Sequence, residues 1–271
     1  MTGLCRLPGR GILRLAGPDT VAFLQALVSN DVSDIAPGSA RYAVLLTPQG
    51  KFLHDFLVIP APEAGAALLI DCERARIDDL KRRLTLYRLR SKVTIEDRSD
   101  DWIVLAAPDG GLDDGRGVVV ADPRHPALGQ RLYWPAAEPL PVEPADASAW
   151  DARRIALGVP DGSRDMTIDK TILLEARIDA FHGIDFRKGC YVGQEITARS
   201  RYRGTVRKKL FPCRVDGPLP ETGTPVTVGD SEVGEVRSGM GDRAIVLLRL
   251  ERPEGELVAG GARLLPEPPQ E

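Results

Sequence analysis

Lys188-Gly189-Cys190-Tyr191-Val192-Gly193-Gln194-Glu195 is the densest run of chemistry-bearing residues in the chain. Two glycines bracket a cysteine, and glycine reaches backbone conformations closed to other residues. Lys188 brings a positive charge that lowers the pKa of a neighbouring thiol, and a following helix start does the same. Gln194, Glu195 and Ile196 suit such a start. Against this stands the commoner role of a free cysteine, a small buried apolar group. Upstream, Trp150 to Leu157 predicts a helix stopped by Gly158-Val159-Pro160. Downstream, the texture changes after Gly204. Strand-like runs at 205–215, 225–228, 232–237 and 244–250 alternate with Gly and Pro turns, as in a small barrel.

Further out, towards the N-terminus, helices and strands mix. Gly11 to Leu15 predicts a strand. Asp19 is placed to cap a helix carrying Val21, Leu24, Leu27 and Val28. Tyr42 to Thr47 and Phe52 to Ile59 read as a hairpin around Thr47-Pro48-Gln49-Gly50. Ala66 to Asp71 reads as a strand and Glu73 to Leu86 as a helix with Ile77, Leu80 and Leu84 inward. Lys92 to Glu96 and Asp101 to Ala106 read as strands. The stretch 107–145 is rich in Gly, Pro and Asp around two short strands (117–121, 130–134) and ends in a Pro-rich linker, Glu138-Pro139-Leu140-Pro141. Mixed elements followed by strands alone predict an α+β fold with an all-β appendix.

With 271 residues the chain is long enough for two domains or three small ones. Its 43% hydrophobic and 28% charged residues exclude wholesale disorder. Apolar runs such as Ala66 to Ile70 are far short of the roughly 20 residues a membrane helix needs. A net charge of −3 excludes a globally basic nucleic-acid binder but leaves local patches open. The cysteines at 5, 72, 190 and 213 form no C-x-x-C pair, and the histidines at 54, 125 and 182 no H-E-x-x-H, so no metal site is expected. Such spacing fits free thiols in a reducing compartment. Arg6, Arg10 and Arg14 precede the first acid, Asp19, in a segment read as a first strand and not a presequence. Arg199, Arg201, Arg203, Arg207, Lys208 and Lys209 form one basic run, and a second spans Arg74 to Lys92. Each is either a solvated face or a polyanion site.

The octet resembles the K-G-C-Y-x-G-Q-E signature of the YgfZ-type folate-binding proteins, which include mitochondrial and bacterial iron–sulfur cluster maintenance factors. Agreement extends to Leu174-Glu175-Ala176, Gly183-Ile184-Asp185-Phe186, Ala198-Arg199 and Arg203-Gly204. At the N-terminus it takes in Phe23-Leu24-Gln25, Asn30-Asp31-Val32 and Gly50-Lys51. Arg177 departs from the pattern, since the family usually has Asn there. The resemblance implies an α+β fold of the aminomethyltransferase type: two intertwined α+β domains and a C-terminal β-barrel ringing a central folate-binding hole. By resemblance the first domain is 1–48 with 143–203, the inserted second 49–142, and the barrel 204–271.

The function implied is that of a tetrahydrofolate-binding accessory protein for iron–sulfur enzymes, including tRNA-modifying ones. Cys190 is then the essential thiol with Lys188 beside it. Glu175, Arg177, Tyr191, Gln194, Glu195 and Arg199 are the folate contacts. Glu175 suits the pterin because a carboxylate accepts two N–H bonds in one plane; without the resemblance it reads as an exposed helix carboxylate. His182 reads as structural. The related aminomethyltransferase has an Asp-Asp pair after its hairpin where this chain has His54-Asp55, so classical aminomethyl transfer is not expected. A one-carbon transferase and an RNA- or protein-binding module are the alternatives. The partners expected are folate and iron–sulfur clients or assembly proteins, with RNA not favoured and no membrane. The compartment is cytoplasmic in a bacterium or the mitochondrial matrix in a eukaryote.

Overall fold

The computed structural model describes residues 3–63, 65–110, 115–140, 142–204 and 206–268. The chain opens with β1 (Cys5–Arg6) and β2 (Arg10–Ala16), followed by α1 (Thr20–Gln25). β3 (Arg41–Leu46) and β4 (Phe52–Pro60) form the expected hairpin, then come β5 (Ala67–Glu73), α2 (Ile77–Arg88) and β6 (Thr94–Asp97). These strands build one antiparallel sheet in the order β3-β4-β5-β2-β6. Its strands are apolar on both faces because both faces are covered. Leu13, Leu15, Ala43, Leu45, Phe56 and Ile70 pack with Leu24 of α1 and Ile77, Leu80 and Leu84 of α2. Their alternates, Ile12, Tyr42, Val44, Leu57 and Leu69, face the rest of the molecule.

β7 (Trp102–Ala107), β8 (Val118–Ala121) and β9 (Gln130–Pro135) make a second sheet with β1, ordered β1-β7-β9-β8. α3 (Ser148–Leu157) and the short α4 (Gly162–Asp165) follow. Turns then fill most of 166–193 before α5 (Gln194–Arg203). Six strands close the C-terminal barrel: β10 (Lys208–Asp216), β11 (Pro225–Val228), β12 (Ser231–Met240), β13 (Arg243–Arg249), β14 (Leu257–Ala259) and β15 (Ala262–Pro266). Trp150 and Ile155 of α3, Leu210 of β10 and Ile245 of β13 share one core with the first two sheets.

The 48/49 boundary lies in the β3–β4 turn, and the two strands pair from Arg41↔Val58 to Leu46↔Phe52 with one bulge between Leu45 and Leu46. Paired strands of one sheet share their core, and the second sheet begins only at Trp102 while drawing β1 from the N-terminus. Asp19 precedes α1 but does not cap it; its carboxylate accepts the Lys92 N–H at 2.7 Å, tying α1 to β6. The barrel also has β14 and β15, absent from the sequence reading.

Candidate functional site

The octet is held at three points. Asp185 starts the loop, its carboxylate accepting the N–H groups of Arg187 and Lys188 at 2.6 and 3.2 Å. The Lys188 side chain is buried, and Nζ donates to the carbonyls of Gln25 (2.8 Å), Val28 (2.6 Å) and Asn30 (2.8 Å). It thus satisfies free carbonyls at and beyond the end of α1. Burial pulls its ammonium down to about 8. Tyr191 is buried, with Lys188 Nζ 5.2 Å from its ring centre.

Gly193 caps α5 at φ 81, and a Cβ there would meet the Thr47 carbonyl oxygen at 2.4 Å. Gly50, at φ 70 in the hairpin turn, comes so near α5 that its Cβ would meet Ile196 Cβ at 2.7 Å. Both contacts require glycine, and they seat the start of α5 on the hairpin. Between these anchors Gly189 and Cys190 are exposed.

Lys188 was expected to stand beside the thiol; its ammonium is instead bound to three carbonyls. Cys5, Cys72 and Cys213 are buried, and burial pushes all three thiols up, Cys213 to about 12. Cys190 is the exposed cysteine of the four. No three or more His, Cys, Asp or Glu side chains gather to hold a metal ion among the described residues.

The expected folate contacts sit in different local settings. Glu175 is half-buried and accepts the Ile172 N–H of its own turn at 3.3 Å. Arg177 is buried at φ 57, its guanidinium 5.2 Å from the Phe181 ring. Gln194 opens α5, and Glu195 pairs with Arg199 one turn on, on an exposed face.

A different cavity lies where α3 and α4 meet the first sheet. It holds about 280 Å³ and is bounded by Arg10, Glu73, Trp150, Asp151, Asp161 and Arg164. The Trp150 ring is buried, and its indole N–H has no acceptor. Burial would raise Asp161, but Arg154, Arg10 and Arg164 overcome it and hold its carboxyl well below the usual range. Sequence reasoning missed this site. Its signal was charge on otherwise apolar elements, which is costly unless paired. Arg10, for example, opens β2 and donates to Asp71 at 2.6 Å. Asp71 also accepts from Tyr133 and Arg131 of β9, so ion pairs join the two sheets.

His54 and Asp55 also need correction. Successive β-strand residues point to opposite faces. His54 points to α2 and meets Asp79 at 2.9 Å, whereas Asp55 accepts the Tyr42 hydroxyl at 2.9 Å and lies behind Gly162. Burial pushes Asp55 up. A carboxylate is therefore kept on the Gly162 side of the strand, with His54 on the other side.

Two antiparallel sheets, their packed helices and a closed barrel define the aminomethyltransferase-like fold. Residues 3–107 match the GCVT N-terminal domain, and residues 207–271 match the CAF17 C-terminal beta-barrel domain. The crystal structure of the glycine cleavage system aminomethyltransferase T from Bartonella henselae superposes with a TM-score of 0.76. The match covers 97% of this chain and 84% of that one at 15% identity, a likeness of fold. The mitochondrial iron-sulfur cluster assembly factor IBA57 of Homo sapiens is 35% identical over 280 residues, covering 93% of this chain and 79% of the human one. The IBA57 of Mus musculus is 33% identical over the same shares. The chain belongs to the IBA57 family. The YgfZ-type resemblance pointed to a related family, not to this one.

Proposed function

We propose that this chain is an iron–sulfur cluster assembly factor whose working group is the Cys190 thiol. The observation that carries this reading is an exposed cysteine between buried anchors, Lys188 and Tyr191, while the other three cysteines are buried. A thiolate is an iron–sulfur ligand, and one thiolate supplies one ligand of the several a cluster needs. Contact with a cluster at Cys190 is therefore shared with a client. The clients are iron–sulfur enzymes and their assembly proteins, tRNA-modifying enzymes among them. The mitochondrial relatives support the matrix as the compartment in a eukaryote, and the cytoplasm is its counterpart in a bacterium.

Cys190→Ser is expected to leave stability within about 0.5 kcal/mol, as exposed substitutions do. The same change is expected to abolish support of iron–sulfur enzyme activity in cells lacking the native protein. Full rescue by the Ser variant would overturn the reading.

The finer part of the proposal is tetrahydrofolate binding, supported by the shared fold. The cavity at Trp150 suits a flat heteroaromatic head, because the carboxylates of Asp151 and Asp161 at its wall can accept ring N–H groups. Tetrahydrofolate carries one-carbon units on its ring nitrogens. Glu175 does not line this cavity. Equilibrium dialysis of tetrahydrofolate should therefore show Asp161→Asn weakening binding by about 1.5–3 kcal/mol, the worth of a hydrogen bond to a charged group. Glu175→Ala should change it little. The opposite order would move the head group to Glu175.

A further inference from the structure

We propose that the exposed end of α2 docks on an anionic lipid surface. Residues 80–92 hold six basic residues and no acid, in a chain whose net charge is −3. Arg82 and Arg83 pair with Asp79. Lys81, Arg88, Arg90 and Lys92 have no acidic partner among the described residues. Asp19, beside them, is engaged by the Lys92 N–H. Leu86 and Leu89 stand amid these cations, 66% and 88% exposed, with Tyr87 partly exposed between them. The inner face of α2 is already complete with Ile77, Leu80 and Leu84, so none of the three serves the core.

Leu89 is the most telling residue. Its backbone is at φ 44, ψ −107, and Ser91 N–H donates to the Arg88 carbonyl at 2.8 Å. This places Leu89 at the first central position of a II′-type turn, where glycine is the usual residue. A leucine there is strained and gains no burial in return. Strain held at an exposed apolar residue points to a contact outside the chain. Aliphatic side chains on a projecting end, ringed by unpaired Lys and Arg, match the way an interfacial segment lies on a bilayer. Anionic headgroups complement these four cations, which lack an acidic partner among the described residues. The sequence reading set membranes aside because nothing can span one; a tip that lies on the surface needs no span. The inference is independent of the role proposed for Cys190.

The test is sedimentation of the full chain with phosphatidylcholine vesicles, either pure or containing about one-third phosphatidylglycerol. Binding is expected to the anionic vesicles alone and to weaken with salt. Leu89→Gly should raise or preserve the melting temperature, because glycine suits the turn, yet weaken vesicle binding about tenfold. Arg88→Gln with Arg90→Gln should weaken it about tenfold or more. Absence of binding to anionic vesicles, or a Leu89→Gly protein that binds like the wild type, would overturn the proposal. Capture of a soluble oligoglutamate peptide without vesicle binding would also overturn it, and would assign the tip to an acidic protein.

Discussion

His54 shows how far a single residue can be read from sequence alone. By sequence it stands where the related aminomethyltransferase has the first Asp of a pair, and strand alternation sends it to α2. Burial, reinforced by Arg76, pulls its imidazole down to about 4. Above about pH 6.5 the imidazole is neutral in both folded and unfolded chains. Between about 6.5 and 4 the unfolded chain takes up a proton that the folded chain refuses, so stability falls as pH falls through that window. The full effect is at most about 3 kcal/mol. His54→Gln keeps a donor for Asp79 and removes the titration. Urea midpoints measured from pH 7 to 4 should fall less steeply in this variant, and parallel curves would refute the assignment. Arg177 is legible in the opposite sense. Its φ of 57 is a conformation Asn tolerates well. This explains the family's Asn, and only the structure reveals it. For Lys188 the sequence shows a charge but not its direction, and the structure holds its ammonium on three carbonyls.

Elements with a strong local signal were legible. The β3–β4 hairpin announced itself through Pro48 and Gly50 between two apolar runs, and α2 through the spacing of Ile77, Leu80 and Leu84. The stretch 166–193 was not. It is a chain of turns closed by bonds such as Ile178 N–H to Leu173 and Gly183 N–H to Ile178 carbonyls. It is docked on β4 through Phe52 N–H to the Thr171 carbonyl and Asp169 N–H to the Phe52 carbonyl. Turns have no period, so nothing in the sequence showed that Glu175 would fold back onto Ile172. β14 and β15 were missed for a related reason. They are short strands joined through Gly260 and Gly261, and only barrel closure against β11 and β10 makes them strands. The hairpin turn and the octet were each found separately. Their contact through Gly50 and Gly193 is tertiary, and neither segment predicts it alone.

At the scale of the whole molecule, α3 joins the cavity at Trp150 to the barrel. Trp150 and Asp151 face the cavity, and Arg154, one turn on, reaches the barrel. Arg154 Nη1 donates to Asp165 at 2.8 Å, and Ser238 of β12 donates to the same carboxylate at 2.6 Å. Both charged side chains are fully buried. A buried pair gains little over apolar residues of the same shape, but removing one partner strands the other charge out of water. Asp165→Ala leaves Arg154 with Asp151 as its remaining acidic partner and Ser238 without its acceptor. The expected loss in urea denaturation is about 3–5 kcal/mol. Arg154→Met combined with Asp165→Leu should recover most of that loss, because both charges of the pair leave together and Asp151 keeps Arg164. If the double variant is as unstable as Asp165→Ala, the barrel is held by the specific hydrogen bonds to Ser238 and not by the balance of buried charge.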